Sequence, residues 1–383
     1  MTAQTPTPSG EIFVHVFGKT DVGRTREHNE DAFVVADLTT MNATLKPEVR
    51  AHRLGERGSL FMVADGMGGA AAGEIASAMA IDVVLHELET RWSKAGDADP
   101  ETFARALKAA TETANARIHR FASERPENRG MGTTATIAGL VGDTLYLAQV
   151  GDSRAYLVRA GVALQITKDQ SLMQKLVEAG ELTAEEAEVS ERRNIILQAL
   201  GPEPLVKVDL THQQVRRGDT VVVCSDGLSG QMRASDIAEI VAKEPDLVQV
   251  CKQLIDLANE NGGPDNITVI AARFEGAGLT AASDGDAVGH TVYTNENESR
   301  TTLPVRAADL PPITPEEEAS MAETPRETPV PAWSPAADGG AVTGPAPAPL
   351  SPPERRVSLA TLRLIFGAIG LLIGAMVIYK FLK

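Results

Sequence analysis

The sequence predicts an α+β protein: a central antiparallel β-sandwich flanked by helices, in α-β-β-α layers. Short apolar runs rich in Val, Ile and Phe recur across residues 11–275, at strand length and bounded by Gly, Asp and Ser. Several are joined at hairpin spacing, as in "GLVGDTLYL" and "LVRAGVALQI", which makes the joined strands antiparallel. Helical patterns are inserted in pairs rather than after every strand, which sets the arrangement apart from an alternating parallel sheet.

In chain order the strands are "EIFVHVF", "AFVVAD", "LFMVAD", "TTATIAGLVG", "DTLYLAQVGD", "RAYLV", "DTVVVCSD" and "NITVIAARF". Two long helices follow the third, "GEIASAMAIDVVLHELETRW" and "PETFARALKAATETANARIHRFA", where apolar residues recur near the 3.6-residue helical period. Shorter helices follow in "SLMQKLVEAG", "AEEAEV" and "PDLVQVCKQLIDLANEN". No internal repeat is visible.

Beyond this part the text changes character. Residues 276–354 are dominated by Pro, Ala, Glu and Thr and keep neither period, which reads as a disordered linker. Leu364–Tyr379 is an uncharged apolar run, and its flanks extend it to 359–382, close to the length that spans a bilayer. Arg355, Arg356 and Arg363 precede it, so the charge bias predicts that the large N-terminal part lies in the cytoplasm behind a single C-terminal anchor. The N-terminal "MTAQTPTPSG" has no apolar core of the kind a secretory signal needs. Cys224 and Cys251 lie in apolar runs and read as buried thiols in a reducing compartment. A formal net charge of -16 argues against a chain that coats nucleic acid, since phosphate neutralisation needs clustered Lys and Arg.

The chemistry concentrates in the turns. Gly66, Gly68 and Ala71 fit G-x-G-x-x-A between a strand and a helix, the setting of a dinucleotide-binding turn. Asp65, however, would place a carboxylate beside the pyrophosphate, and the acidic residue expected about twenty positions on falls at Glu87, inside a helix. A metal suits Asp65 better. Aspartates recur at the ends of apolar runs: Asp31, Asp65, Asp152, Asp226 and Asp265. A single Asp in a turn needs no explanation beyond turn chemistry. Strand ends sharing one sandwich rim would instead bring several carboxylates together, where they raise one another's pKa unless a cation intervenes. Oxygen-only ligation favours Mg²⁺ or Mn²⁺. Two such ions about 4 Å apart would serve an in-line displacement at phosphorus.

"DVGRTREHNEDAF", "VADGMGGAAAGE", "GMGTTATIAG", "VGDSRAYLV", "CSDGL" and "GGPDNITVI" occur in the order and approximate spacing of the metal-dependent protein phosphatases of type 2C, the PPM family, which residues 11–275 resemble. The resemblance implies two core Mn²⁺ or Mg²⁺ ions between the sheets, a weaker third, and hydrolysis of phosphoserine and phosphothreonine in proteins. Arg26 matches the arginine that grips the substrate phosphate. Asp65 matches the carboxylate bridging both metals, the Gly66 carbonyl a ligand of the second, and Asp226 and Asp265 ligands of the first. Asp31 and Glu30 match the acidic pair holding metal-bound waters, Asp152 matches a third-metal ligand, and Asn266 orders the turn around Asp265. The stretch from "TKDQSLMQKL" to "ILQALG" matches the family's flap. The implied partners are phosphorylated proteins and membrane-associated Ser/Thr kinases.

Two departures stand out. Met67 and Ala70 occupy places where family members carry a histidine, and Gln170 and "VSERRN" stand where His and His-Pro are common. If such a histidine protonates the departing oxygen, its loss weighs most on poor leaving groups; a metal-bound water, helped by His28, is expected to do this work instead. The alternatives are a catalytically weak phosphoprotein-binding adaptor and a hydrolase of small phosphorylated molecules.

Overall fold

The structure is a computed structural model that describes residues 10–43, 51–68, 72–96, 98–190, 192–283 and 286–293. In chain order its elements are β1 (Phe13–Asp21), β2 (Asp31–Asp37), β3 (Ala51–Arg53), β4 (Ser59–Met67), α1 (Ala72–Leu88), α2 (Pro100–Glu124), β5 (Gly132–Thr133), β6 (Ala135–Val141), β7 (Thr144–Val150), β8 (Arg154–Arg159) and β9 (Val162–Gln165). There follow α3 (Leu172–Glu178), α4 (Ala184–Glu188), β10 (Asp209–Gln214), β11 (Thr220–Cys224), α5 (Asp226–Ser229), α6 (Ala234–Lys243), α7 (Leu247–Glu260) and β12 (Ile267–Glu275).

The strands form two sheets, ordered β3-β1-β12-β11-β8-β9 and β10-β7-β6-β4-β2, with β5 paired to β4. Each strand pairing is antiparallel. Alternation explains the layering. Val14, Phe61, Val63, Leu157, Val221, Val223, Ile270 and Phe274 point into the space between the sheets and are buried there. The opposite faces are covered too. Leu60, Met62 and Ile137 meet Met79, Val84, Phe103 and Leu107 of α1 and α2 on one side. Tyr156, Val222 and Val269 meet Ile237, Val250 and Leu254 of α6 and α7 on the other. With both faces covered, β4, β6, β11 and β12 are near-continuous apolar runs rather than alternating ones.

Three features differ from the sequence expectation. β10, "DLTHQQ", has no apolar run, yet it pairs along β7 from Asp209↔Gln149 to Gln214↔Thr144. α6 is a short amphipathic helix absent from the sequence expectation, with Ile237, Ala238 and Val241 buried on one face. The packed domain also runs past 275. Gly278 donates to Glu11 O, and Arg217 N donates to Thr280 O. Further on, Tyr293 N donates to Leu210 O and His212 N to Thr291 O, so residues near 292 lie beside β10. The linker expected from 276 therefore begins with residues folded onto the domain, and its remainder lies outside the described residues. The expected membrane helix at 359–382 lies outside them as well; among the described residues no helix is long and apolar enough to cross a membrane.

Candidate active site

Antiparallel pairing puts the end of one strand beside the start of its neighbour, and this gathers the acidic turns at one rim. Asp31 opens β2 directly opposite Asp65 near the end of β4. Asp152 follows β7 and precedes β8, and Arg154 of β8 pairs with Cys224, the last residue of β11. Asp226 follows that strand across Ser225, while Asp265 precedes β12 across Asn266, and Ile267 of β12 pairs with Asp21. The two sheets are stitched together here. Ser225 Oγ and Thr268 Oγ1 both donate to Asp31 Oδ2, at 2.8 and 2.6 Å.

Backbone geometry brings these groups close. A Cβ on Gly66 would meet Gly73 O at 2.3 Å and Glu30 O at 2.5 Å, and one on Gly227 would meet Asn266 O at 1.9 Å. Glycine is therefore required at both turns for packing reasons. Asp65 is fixed through its main chain: its N–H donates to Thr134 Oγ1, and its carbonyl accepts from Thr134 N and Thr133 Oγ1. Asn266 ties the turn as expected. It receives Glu30 N–H on Oδ1 and donates through Nδ2 to Val22 O and His28 O, while its own N–H donates to Asp265 Oδ1.

The electrostatics follow from burial and like charge. Burial pushes the Asp65 carboxyl well above the usual carboxylate range, and the charges of Asp31, Asp226, Asp152 and Asp265 push it further. Asp31 is raised to about 7, mainly by burial, against the two hydroxyl hydrogen bonds that favour its charged form. Asp152 is raised to about 8 by burial and then by Asp226 and Asp169. Burial and Asp265 raise Asp226, opposed by a hydrogen bond with Asp65 and by Arg154 and Arg26. Burial also raises Glu30, which Arg26 offsets in part. Arg26 lies on the half-exposed edge, with Nη2 2.7 Å from Asp265 Oδ2.

This donor set fits a divalent cation. Buried carboxylates that resist ionisation because of one another are relieved by positive charge between them. Among the described residues no three His, Cys, Asp or Glu side chains already form a chelating group. An ion that keeps much of its water and takes only one or two carboxylates, as Mg²⁺ does, needs no such preformed group.

A cleft of about 620 Å³ opens beside the rim, lined by Arg26, Asp152, Asp226 and Asp265 on one side and by Met173, Val177 and Val189 of the flap on another. Sequence reasoning missed the Arg154–Asp169 pair in its wall. Arg154 Nε and Nη2 grip Asp169 at 3.0 and 2.7 Å, fastening the flap's base to β8. Both residues sit inside the quoted motifs, but only the fold shows them facing each other. No histidine lines the cleft among the described residues. His28 is exposed, and Ala70 lies outside the described residues. Gln170 does not line the cleft; its hydrogen bonds run to the Gly151 turn and to β10.

The sequence profile described as Protein phosphatase 2C matches residues 49–269. A Listeria innocua protein, serine/threonine phosphatase stp, is 35% identical over 257 residues, covering 67% of this chain and 94% of its own. The solved S. agalactiae serine/threonine phosphatase superposes with a TM-score of 0.59 at 34% identity, covering 68% of this chain and 99% of its own. The catalytic domain of serine threonine protein phosphatase PstP, solved in complex with 2 manganese ions, gives a TM-score of 0.56 at 35% identity and covers 69% of this chain and 99% of its own.

Proposed function

This chain belongs to the protein phosphatase 2C family, and we propose on that basis that its acidic rim is the metal centre of a protein serine/threonine phosphatase. One observation carries the reading: carboxylates from separate strand ends, in both sheets, converge at one buried rim, where burial first and then like charge oppose their ionisation. Asp65, the Gly66 carbonyl, Asp226 and Asp265 would hold two core Mn²⁺ or Mg²⁺ ions, with Asp31 and Glu30 orienting water and Asp152 serving a third. Held there, such cations would supply Lewis acidity, neutralising phosphate charge and lowering the pKa of water.

The chain's own residues do the rest. Arg26 can present a planar guanidinium to the phosphate oxygens at the mouth of the cleft, where its partner is now Asp265. Ser225 and Thr268 keep Asp31 oriented. The flap's Met173, Val177 and Val189 offer the peptide an apolar wall. In the full-length protein, Asp65→Asn and Asp226→Asn should each reduce Mn²⁺-dependent phosphate release from a phosphothreonine peptide to the level seen with chelator. Activity retained in both variants would defeat the assignment.

The segment 359–382 supports a second proposal: a C-terminal membrane anchor that holds the catalytic domain in the cytoplasm, opposing membrane-associated Ser/Thr kinases and raising its local concentration near them. Cell fractionation tests it. The full chain should stay in the membrane pellet through an alkaline wash, and release into the supernatant would contradict an anchor.

A further inference from the structure

Two ordered features play no part in the chemistry of the rim, namely Gln170 at the base of the flap and the chain at 286–293. Gln170 is 6% exposed and fully engaged. Its Oε1 accepts from Gly151 N at 3.0 Å, and its backbone N–H donates to Gly151 O at 2.8 Å, one residue before Asp152. Its Nε2 donates to Lys207 O at 3.2 Å and to Asp209 Oδ2 at 3.1 Å, and its carbonyl accepts from Leu197 N at 2.7 Å. This one residue thus joins the outgoing and returning ends of the flap, the Asp152 turn and the first residue of β10.

The chain at 286–293 lies on the far edge of that strand. Asp286 takes Arg216 Nε and Nη2 at 2.9 and 2.8 Å and also caps Ser283 N at 2.9 Å. Gly289 N donates to Gln213 Oε1, and the Thr291 and Tyr293 backbones bond to His212 and Leu210. Tyr293 packs edge-on against Tyr146 and His212. His290 lies within electrostatic reach of Asp209 of β10 and of Lys168 and Glu178 of the flap, which are ion-paired at 3.2 Å.

We propose that residues 286–293 form a strap that positions the flap, acting through Asp209 and Gln170, with Gln170 the positioning residue that aligns the flap with the turn carrying Asp152. β10 depends on the strap because its other edge would otherwise be open, and Asp209 at its start is the acceptor that orients the Gln170 amide. The downstream chain is covalently continuous with the strap, so this path links whatever holds that chain to the wall of the cleft. Only the kinetic part of the test rests on the phosphatase reading.

The test uses the full-length protein and measures amide hydrogen exchange by mass spectrometry over residues 171–197. Asp286→Ala and Tyr293→Ala should speed exchange there by about tenfold while leaving β6 and β11 unchanged. They should raise KM for a phosphothreonine peptide and leave kcat on a small aryl phosphate within about twofold. Gln170→Glu sets a carboxylate against Asp209 and Lys207 O and should loosen the flap; adding Asp209→Asn should restore part of its protection by removing the charge repulsion, a rescue that lost packing alone would not give. Unchanged exchange over 171–197 in the strap variants, a uniform rise that includes β6 and β11, or failure of the rescue would each overturn the proposal. If no variant and no wild-type preparation released phosphate, the function assigned above would fall, while the exchange data would still decide the strap.

Discussion

Arg26 shows how much rests on a single side chain at the rim. It stands 2.7 Å from Asp265 and within the field of Glu30 and Asp65, at the mouth of the cleft where a phosphoryl group would enter. Arg26→Ala should lower kcat/KM on a phosphothreonine peptide by about 10–100-fold, the worth of a charge-assisted hydrogen bond. Arg26→Lys should recover only part of that loss, because an ammonium cannot form the planar two-point grip. Full recovery in steady-state kinetics would argue against bidentate binding. Ala70 poses the converse case. Ala70→His should raise turnover of the phosphopeptide more than that of an activated aryl phosphate, since only the poor leaving group needs a proton donor; equal gains on both would refute that role. The aspartates were legible in sequence because each sits in a turn motif. The hydroxyls of Ser225 and Thr268 were not, although both lie inside quoted motifs, because their partner Asp31 belongs to the other sheet.

At the scale of elements, α2 and the apolar strands were readable because period and burial agree, while α1 was readable from its length and apolar content, being buried on most sides. β10 was not, since Asp, Thr, His and Gln give it no apolar signal and its strand identity comes from neighbours on both sides. The described residues after 275 misled for the same reason: they have a linker's composition, yet 291–293 lie on the edge of β10. Beneath the strap, Arg159 grips Asp219 at 3.0 and 2.6 Å in a buried pair, and Asp219 also accepts Arg216 N–H. Asp219→Ala would leave the guanidinium buried and unpaired, so urea unfolding should show a loss of about 3–5 kcal/mol. A chain ended at 276 should melt below one ended at 293, because β10 loses its outer partner; equal midpoints by calorimetry would show that the strap adds nothing to the fold.

For the whole molecule, the acidic rim couples folding, metal and pH. Asp31 and Asp152 are raised to about 7 and about 8 from ordinary values near 4. The folded chain therefore binds more protons than the unfolded chain between those limits, and stability falls as pH rises through that window. In chelator the thermal midpoint should drop between about pH 4 and pH 8, and the upward shift produced by Mn²⁺ should grow over the same range, since the cation binds the ionised carboxylates. A midpoint in chelator that rises with pH would contradict the burial of these groups. The most direct test of the central claim is phosphate release from a phosphothreonine peptide by the full-length protein as Mn²⁺ is titrated. The expected result is saturable release that is abolished by chelator and restored when metal is returned. Release that persists unchanged in chelator, or none at any metal concentration, would contradict it.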